Sequence, residues 1–352
     1  MESPEIEKVI LITGGCGFIG TNAANFYLKK GYRVIAFDNL SRVGSKENLS
    51  QLEKQGGKFL FIRGDVRDDR QLSAVFKEHK PDLVLHLAAQ VTMVTSVENP
   101  REDFMVNVLG SFNVLEAMRA ITPKALAIYS STNKVYGEMI NIPVTEEERR
   151  YKYKDIIGIS ENYPLDFHGP YGCSKGAADQ YFLDYARIYN LNTTVFRQSG
   201  IYGPYQFGIE EQGWLAWFCN ALLFDKPVTI YGDGKQVRDV LYITDLLRAY
   251  DLAFNNPEKA RGKAYNIGGG ARFSLSIWEL FEILESLSRE KMVHSLGSWR
   301  PGDQRIYISD ITQVKKELGW QPEISPLEGV KNLYNWISDN KSLIEKAGVF
   351  KK

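Results

Sequence analysis

The sequence predicts an α/β protein in which a doubly wound parallel sheet is followed by a smaller C-terminal α/β cap. Three observations support this fold class. Short β-branched or apolar runs alternate with longer segments of helical spacing through the first half of the chain. A glycine-rich turn directly follows the first of these runs. Beyond residue 196 the alternation gives way to Gly, Pro and aromatic residues, which predicts that a second unit begins there.

Strands are predicted, in order, at residues 8–13, 33–38, 59–63, 83–87, 125–130 and 193–198. Helices between them are predicted to begin near Gly17, Ser45, Asp69, Ser96 and Tyr171. An apolar helix at 211–224 opens the cap, and short strands and two amphipathic helices are expected to complete it. The run AYNIGG at 264–269 predicts a strand that returns to the sheet. The predicted domains are 1–196, with the return at about 239–269, and a cap of 197–238 and 270–352.

Composition limits the partners that the protein can have. The 43 basic and 43 acidic residues cancel, and no Lys/Arg block stands out, which argues against nucleic-acid binding. No apolar stretch is long enough to cross a bilayer, and the N-terminal run MESPEIEK resembles neither a signal peptide nor a transit peptide. The three cysteines lack CxxC spacing and the four histidines lack ligand spacing, so neither disulfides nor a metal site is expected. We expect a cytoplasmic protein with a small-molecule partner.

The run VILITGGCGFIG places Gly14, Gly17 and Gly20 directly after a buried strand and at the start of a helix. Glycines there permit a tight turn and let backbone N–H groups approach a pyrophosphate, as in Rossmann dinucleotide sites. An ordinary strand-to-helix turn is the alternative, but Asp38 ends the second strand at roughly the 20-residue spacing of such sites. Its carboxylate can accept hydrogen bonds from ribose hydroxyls and would repel a 2′-phosphate, which favours NAD over NADP. Nearby Arg42 weakens that preference slightly.

Two further residues have structural as well as functional interpretations. Asp65 follows the third strand, where it can reach the adenine, or it can cap the helix that begins near Asp69. His86 lies inside the apolar strand LVLHLAA, which favours a core histidine with satisfied hydrogen bonds over a catalyst.

Tyr171 and Lys175 stand four residues apart, one turn along the same helix face. A neighbouring ammonium favours the phenolate of a tyrosine, which can then take a proton from a substrate hydroxyl. Thr132, at the carboxyl edge of the fifth strand, would lie where ligands of doubly wound sheets bind and could hydrogen-bond the same oxygen. An aromatic–cation packing pair is the alternative for Tyr171 and Lys175.

The order GGCGFIG, Asp38, HLAA, Asn107 in VNVLG, SSTNKVYG, YGCSK and RDVLYITD resembles that of the extended short-chain dehydrogenases that modify nucleotide sugars. Within that family, SSTNKVYG, LDFHGPYGCSKGAADQY and GKQVRDVL are most similar to the 2-epimerases of CDP-linked sugars. The resemblance implies a homodimer with bound NAD. It implies that Tyr171 is the catalytic base, and that Lys175 tunes its pKa and binds ribose. Thr132 would orient the hydroxyl, and Asn107 would order the active-site helices. Further cofactor contacts are expected from Tyr171, Phe18, Ile19, Asn39, Val66, Leu87, Ala88 and Ala89.

The residues after Thr132 indicate the type of reaction. The 4,6-dehydratases of the resembled family carry an Asp-Glu pair there, because elimination of water needs both an acid and a base. This chain has Asn133 and Lys134 instead, so dehydratase activity is not expected. Inversion of C2 would proceed through a ketone, since a ring carbinol proton is not acidic and NAD can take and return a hydride. A UDP-sugar 4-epimerase and a non-catalytic NAD-sensing regulator are the alternatives.

Arg238 and Arg300 are expected to hold the substrate diphosphate, because a guanidinium fork matches phosphate oxygens and both match arginines of the resembled family. Salt bridges from Arg238 to Asp239 and from Arg300 to Asp303 are the alternative. One departure from the family pattern is Gly200, where related epimerases often have Asn.

Aromatic and polar residues near these positions complete the predictions. Further substrate contacts are expected from Asn133 and His168. The aromatic-rich insertion at 151–167 is expected mainly to pack loops. Three aromatic residues lie at helical spacing, which indicates that they pack in the core of the cap and do not form a platform for stacking a base. They are Trp214, Trp217 and Phe218. Three tyrosines repeat every four residues along the same helix, and they either pack in the core or form the interface of a homodimer. They are Tyr181, Tyr185 and Tyr189.

Overall fold

A computed structural model describes residues 7–300 and 303–350. Most of the N-terminal run MESPEIEK, residues 1–6, lies outside the described residues. The strands are β1 (Val9–Thr13), β2 (Arg33–Asp38), β3 (Phe59–Arg63), β4 (Leu83–His86), β5 (Leu126–Thr132), β6 (Val144–Glu146), β7 (Tyr151–Tyr153), β8 (Asn192–Gln198), β9 (Ile201–Tyr202), β10 (Val228–Tyr231), β11 (Val237–Asp239), β12 (Leu241–Tyr242), β13 (Ala264–Ile267), β14 (Ser274–Ser276), β15 (His294–Gly297) and β16 (Ile306–Tyr307).

The helices are α1 (Phe18–Lys29), α2 (Ser45–Glu53), α3 (Asp69–His79), α4 (Met93–Glu98), α5 (Pro100–Phe104), α6 (Gly110–Ile121), α7 (Gly169–Tyr189), α8 (Trp214–Leu223), α9 (Ile243–Asn255), α10 (Pro257–Ala260), α11 (Ile277–Ser288), α12 (Thr312–Leu318), α13 (Pro326–Asp339) and α14 (Lys341–Ala347). A π-helical turn, Met105–Leu109, joins α5 to α6, and a 3₁₀ turn, Asn133–Tyr136, follows β5.

One parallel sheet of seven strands, in the order β13-β8-β5-β4-β1-β2-β3, forms the centre of the protein. The predicted doubly wound fold is confirmed, and β13 pairs with β8 at the edge of the sheet. Strand order reverses between β1 and β4, and in doubly wound sheets ligands bind at the carboxyl ends of the strands beside such a switch point. The candidate site is therefore expected where β1, β4 and β5 end.

Alternate residues of the buried strands face two helical layers. Ile10 and Ile12 of β1 lie in the same core cluster as residues of α1 and α9. Leu11, between them, packs with residues of α3, α6 and α7 on the other face. Because side chains alternate across a strand, a sheet covered on both faces needs apolar residues at successive positions, and VILIT provides them.

The helix predicted to begin near Ser96 is interrupted. The chain forms α4 and then α5, and Asn99 between them accepts a hydrogen bond from the Glu102 N–H at 3.2 Å. Pro100 opens α5, where its missing N–H costs no helical hydrogen bond. The long helix α7 begins at Gly169, so Tyr171 and Lys175 lie in its first two turns.

The cap differs from its prediction in two respects. Its apolar helix α8 begins at Trp214 and not at residue 211, because residues 209 to 212 form a tight turn closed by two backbone hydrogen bonds. The prediction of two further helices in the cap is wrong, since the described residues beyond 270 contain four helices, α11 to α14. The aromatic predictions are confirmed, as Phe218 is buried in the core and Trp214 and Trp217 pack against it. In the insertion, Tyr151 and Tyr153 are buried in a loop-packing cluster.

Candidate active site

The glycine turn after β1 brings two strand ends unusually close together. Gly14 has a φ of +70°, and a Cβ at this position would lie 2.8 Å from the Ala88 nitrogen beyond β4. Only glycine allows this approach. Gly17 precedes α1, and among the described residues no side chain caps the first N–H groups of the helix. Those N–H groups are the donors that a pyrophosphate needs, so the turn fits a dinucleotide.

Asp38 is fixed at the end of β2 by the backbone of the glycine turn. Its carboxylate accepts hydrogen bonds from the Cys16 N–H at 3.0 Å and the Leu40 N–H at 2.7 Å. Burial raises the pKa of Asp38, and the two hydrogen bonds lower it in part. A carboxylate has more lone pairs than these two bonds use, so Asp38 can also accept from ribose hydroxyls.

Asp65 lies just after β3 and hydrogen-bonds Asn39, which lies just after β2, so it links the ends of the two strands. Its carboxylate accepts from Arg67 Nε at 2.9 Å and from Asn39 Nδ2 at 2.9 Å, and the bonds to Arg67 lower its pKa to about 2. The alternative that Asp65 caps a helix is wrong. Asp68 caps α3 instead, accepting from two N–H groups of its first turn.

Most other predicted cofactor residues lie along the same edge of the sheet. Val66 is buried against the position of Gly110, and Arg42 reaches from the loop after β2 to donate a hydrogen bond to Gln212 of the cap. Arg42 also lies near enough to Tyr171 to lower the pKa of the phenol. The residues that remain half-buried at the ends of β1 and β4 and the start of α1 are Phe18, Ile19, Leu87, Ala88 and Ala89.

Thr132, Tyr171 and Lys175 converge at the carboxyl end of β5. Burial raises the pKa of Tyr171, and hydrogen bonding with Thr132 lowers it. The Lys175 ammonium donates to the Ser130 carbonyl at 2.5 Å and lies 4.3 Å from the centre of the Tyr129 ring. Burial lowers the pKa of Lys175 to about 7. Lys175 thus packs on an aromatic ring, as the alternative expected, but the ring is that of Tyr129 and not of Tyr171.

Asn107 ties the π-helical turn to α7. Its Nδ2 donates to Ser174 Oγ at 3.0 Å, and π-helical turns are frequent at functional sites. Asp103, one turn earlier, is fully buried, and among the described residues its Oδ2 has no hydrogen-bond partner. Its negative charge raises the pKa of Lys175 against the effect of burial. Sequence reasoning missed Asp103, although it stands four residues before Asn107.

A buried ion pair fixes the catalytic helix against the sheet. Asp179 of α7 accepts from Arg197 Nε at 2.9 Å and from Ser131 Oγ at 2.7 Å, and the two charged side chains are 0% and 4% exposed. Tyr171, Lys175 and Asp179 follow one another at intervals of four residues on one helix face. This spacing was a sequence signal for Asp179 that the sequence analysis did not use.

The two predicted phosphate-binding arginines lie in the cap. Arg238 of β11 forms an ion pair of 2.7 Å with Asp303. The Arg300 guanidinium stacks over the Tyr231 ring at 3.9 Å. Neither salt bridge of the alternative interpretation forms, because Arg238 pairs with Asp303 in place of Asp239 and Arg300 stacks on the Tyr231 ring.

The remaining substrate candidates lie beside Thr132 and at the start of α7. Asn133 is buried, accepts from the Thr132 hydroxyl at 3.3 Å and donates to Gln304 at 3.5 Å. His168 is exposed and pairs through Nε2 with Asp166 at 2.9 Å. His168 is therefore held at the rim of the site by a carboxylate.

His86 is a core residue, as predicted. Its two ring nitrogens hydrogen-bond Thr13 Oγ1 at 2.7 Å and Ser111 Oγ at 2.9 Å. Burial lowers the pKa of His86 to about 3. A neutral, fully bonded imidazole inside the sheet has no role in proton transfer to a ligand.

The sequence profile of the family described as GDP-mannose 4,6 dehydratase matches residues 11–333. The chain belongs to this family. Its members are the extended short-chain dehydrogenases that act as nucleotide-sugar epimerases and dehydratases. The CDP-paratose 2-epimerase of Salmonella typhi is 47% identical over 335 residues, which are 94% of this chain and 99% of the relative.

Two solved structures of nucleotide-sugar 4-epimerases are also similar to this family member. The UDP-glucose 4-epimerase of Thermotoga maritima, solved with UDP-glucose, is 33% identical with a TM-score of 0.81 and covers 95% of this chain and 99% of its own. The UDP-glucuronic acid 4-epimerase of Bacillus cereus, solved with UDP-glucuronic acid and NAD, is 27% identical with a TM-score of 0.81. That match covers 94% of this chain and 99% of the other.

Gly200, the departure from the pattern of related epimerases, has a steric cause in this family member. Its φ is +51°, and a Cβ at this position would lie 2.2 Å from the Asp239 carbonyl oxygen. A side chain here would collide with β11 unless the backbone moved. The sequence departure at Gly200 therefore follows from the close approach of β11.

The described residues contain no group of three or more His, Cys, Asp or Glu side chains placed to hold a metal ion. Cys16 and Cys219 are buried and Cys173 is exposed, and all three are free thiols. Within residues 7–300 and 303–350, no helix has the length and apolar character needed to span a bilayer.

Proposed function

We propose that this protein is an NAD-dependent isomerase that inverts C2 of a CDP-linked sugar, of the CDP-paratose to CDP-tyvelose type, through a transient 2-keto sugar. The convergence of Thr132, Tyr171 and Lys175 at the carboxyl end of β5 carries this proposal. The identity of 47% to a CDP-paratose 2-epimerase supports the choice of sugar carbon and nucleotide.

The chain's own residues handle the proton. Thr132 holds the C2 oxygen by a hydrogen bond, and Tyr171 accepts the hydroxyl proton as the ketone forms. Bound NAD would supply the redox chemistry, as acceptor of the C2 hydride and then as its donor to the opposite face of the carbon. Tyr171 then gives the proton back to the same oxygen, so the only net change is inversion. Lys175 supplies positive charge to this region, and the carboxylates of Asp103 and Asp179 raise its pKa against burial.

The dinucleotide is assigned to the edge of the sheet at the switch point. The glycine turn and the start of α1 take the pyrophosphate, and Asp38 and Asn39 take the adenosine ribose. Asp65 holds Asn39 in place for this contact. Lys175 takes the ribose on the nicotinamide side.

We assign the substrate diphosphate to Arg238 and Arg300, which hold it while the sugar turns. Arg238 is paired with Asp303, so a phosphate that binds to Arg238 must replace the Asp303 carboxylate. Asn133 and His168 are assigned to the sugar side of the pocket.

We further propose that the protein is a homodimer in the cytoplasm. Aromatic side chains of α6 and α7 pack together at the surface, where Phe112 contacts Tyr181 edge to face with ring centres 6.0 Å apart. Tyr185 of the i, i+4 stripe is buried, whereas its neighbours remain exposed. Clustered exposed aromatics favour a protein interface over a solvated surface. A reducing compartment suits the three free thiols. The exposed members of this aromatic surface are Phe112, Tyr181 and Tyr189.

Incubation of the purified protein with CDP-glucose and with UDP-glucose, followed by NMR analysis of the products, tests the function. Inversion of C2 in the CDP-sugar is the expected result. Inversion of C4 would replace the proposal with a 4-epimerase. Turnover of neither sugar nucleotide, with dinucleotide still bound, would favour a non-catalytic NAD sensor.

A further inference from the structure

Lys134 lies in the 3₁₀ turn that follows the catalytic Thr132, and the charges of Arg238 and Asp303 in the cap act on it. It follows Thr132 by two residues, and its N–H donates to the Thr132 hydroxyl at 3.3 Å in the 3₁₀ turn after β5. Its carbonyl oxygen packs against the start of α7, 3.6 Å from a Cβ built at Gly172. The backbone of Lys134 is therefore fixed beside Tyr171.

The Lys134 ammonium forms no ion pair within the part of the chain that the structure describes. Among the described residues, no carboxylate lies within ion-pair distance of Lys134, and its side chain is half-buried. The charges that act on its pKa are those of Arg238 from β11, Asp303 from the cap and Glu138 from the segment after the 3₁₀ turn. Asp303 is already paired with Arg238. A desolvated lysine without a partner is costly, and such a charge is typical of a site that receives an anion.

The chemistry of a 2-epimerase supplies a reason for a cation at this place. C2 is bonded directly to the anomeric carbon that carries the diphosphate, whereas C4 lies on the other side of the ring. When C2 lies beside Tyr171, the phosphate attached to the sugar must therefore lie close to the end of β5. A 4-epimerase or a 4,6-dehydratase keeps this phosphate a full ring away from the catalytic residues.

We propose that Lys134 binds the sugar-proximal phosphate of the substrate and so determines that C2, and not C4, lies beside Tyr171. The inference rests on the proposed function and identifies the residue that sets its regiochemistry. Arg238 and Arg300 then hold the diphosphate from the cap, and Lys134 holds it from the sheet. When the substrate binds, Arg238 gives up its ion pair with Asp303, and both Arg238 and Lys134 bind phosphate oxygens.

Affinity for CDP and CMP, measured by titration calorimetry without sugar, tests the contact directly. Lys134→Met removes the ammonium and keeps most of the side-chain length, and Lys134→Arg keeps the charge. Loss of one charged hydrogen bond is expected to weaken CDP binding by about 10-fold to 100-fold in Lys134→Met. CMP, which lacks the second phosphate, should bind to both proteins equally, and Lys134→Arg should recover most of the CDP affinity. Lys152→Met, at the exposed position of β7, is the matched control and should change neither affinity.

The pH dependence of CDP binding separates a phosphate contact from a packing role. Burial and Arg238 lower the pKa of Lys134 to about 8, against the opposing charges of Asp303 and Glu138. The ammonium is charged below this pKa, so the CDP affinity of the wild type should fall as the pH rises through it. Bound phosphate raises the pKa of Lys134 in the complex, so the fall in affinity begins near pH 8 and ends at the higher pKa of the complex. Lys134→Met should lack this fall. Binding is used because Tyr171 and Lys175 on the adjacent helix would complicate the pH profile of turnover.

The outcomes distinguish this inference from the proposed function. Suppose that the wild type inverts C2, and that Lys134→Met has the CDP affinity, the pH dependence of binding and the KM of the wild type. The proposed role of Lys134 is then wrong, and the proposed function stands. If Lys134→Met loses CDP affinity and also yields some C4-inverted product, the inference is supported. If the wild type inverts only C4, both the function and the regiochemical role are overturned.

Discussion

The hydroxyl of Tyr171 lies in a partly desolvated site, and burial raises its pKa. Lys175 does not oppose this effect by direct contact, because its ammonium is bonded to the Ser130 carbonyl. Thr132 and Arg42 both lower the pKa of Tyr171. The residue that the mechanism needs as a base therefore depends on several neighbours, and Asp103 acts in the opposite direction.

Tyr171→Phe is expected to retain the dinucleotide and lose turnover. The substitution keeps the ring and removes only the proton acceptor, so kcat should fall by about 100-fold or more while dinucleotide affinity stays near that of the wild type. Single-turnover kinetics and fluorescence titration with NAD check the two halves of the prediction. Tyr334→Phe, on α13, is the control. Near-normal turnover in Tyr171→Phe would remove this residue from its assigned role.

Single residues were predictable where a sequence pattern implies a backbone requirement. Gly14 was identified because the turn needs a positive φ, and Asp38 because it ends a strand at a fixed distance from that turn. Asp65 and Asp68 stand three residues apart in the run RGDVRDD, and composition alone does not tell which of them caps the helix that begins at Asp69. Asp103 was missed because its burial comes from the interruption of a predicted helix.

At the scale of elements, α7 carries the catalytic residues, and the Asp179–Arg197 pair fixes it to the sheet. Asp179→Asn is expected to destabilise the protein strongly, because it leaves the Arg197 guanidinium buried without its counter-charge. Loss of one partner of such a pair costs about 3 to 5 kcal/mol of the free energy of unfolding. Urea unfolding followed by circular dichroism measures the change.

Asp184→Asn on the same helix provides the comparison. Asp184 pairs with Arg187 on the exposed face, and its loss should cost at most about 1 kcal/mol. Equal effects of the two substitutions would mean that the buried pair does not fix α7.

Helices with continuous apolar spacing were predictable to within a few residues, and interrupted ones were not. The start of α3 at Asp69 was predicted correctly. The segment from α4 through the π-helical turn has the composition of one helix, and the Asn99 and Pro100 interruption determines its shape. The π-helical turn, Met105–Leu109, was not predicted.

At the scale of the whole molecule, the parallel sheet was predictable and the cap was not. Each strand of the sheet is a buried apolar run between recognisable turns, so its position follows from local composition. The cap strands have two to four residues, and their partners lie far away in the chain. Pairings of this kind depend on the whole fold, which local patterns do not encode.

The proposed dimer gives a prediction at the same scale. Phe112→Glu combined with Tyr181→Glu places charge on the aromatic surface of α6 and α7 and should weaken the dimer by about 30-fold or more, the effect of about 2 kcal/mol at an interface hot spot. Sedimentation velocity across a concentration series measures the change. Leu327→Glu, on an exposed site of α13, is the control and should leave association unchanged. A monomeric wild type would contradict the assignment.

The most direct test of the central claim uses CDP-glucose labelled with deuterium at C2 and follows the product by NMR and mass spectrometry in ordinary water. The account predicts inversion at C2 with the deuterium retained on that carbon, because the same hydride leaves and returns. Replacement of the deuterium by a solvent proton, or inversion at C4 with C2 untouched, would contradict it.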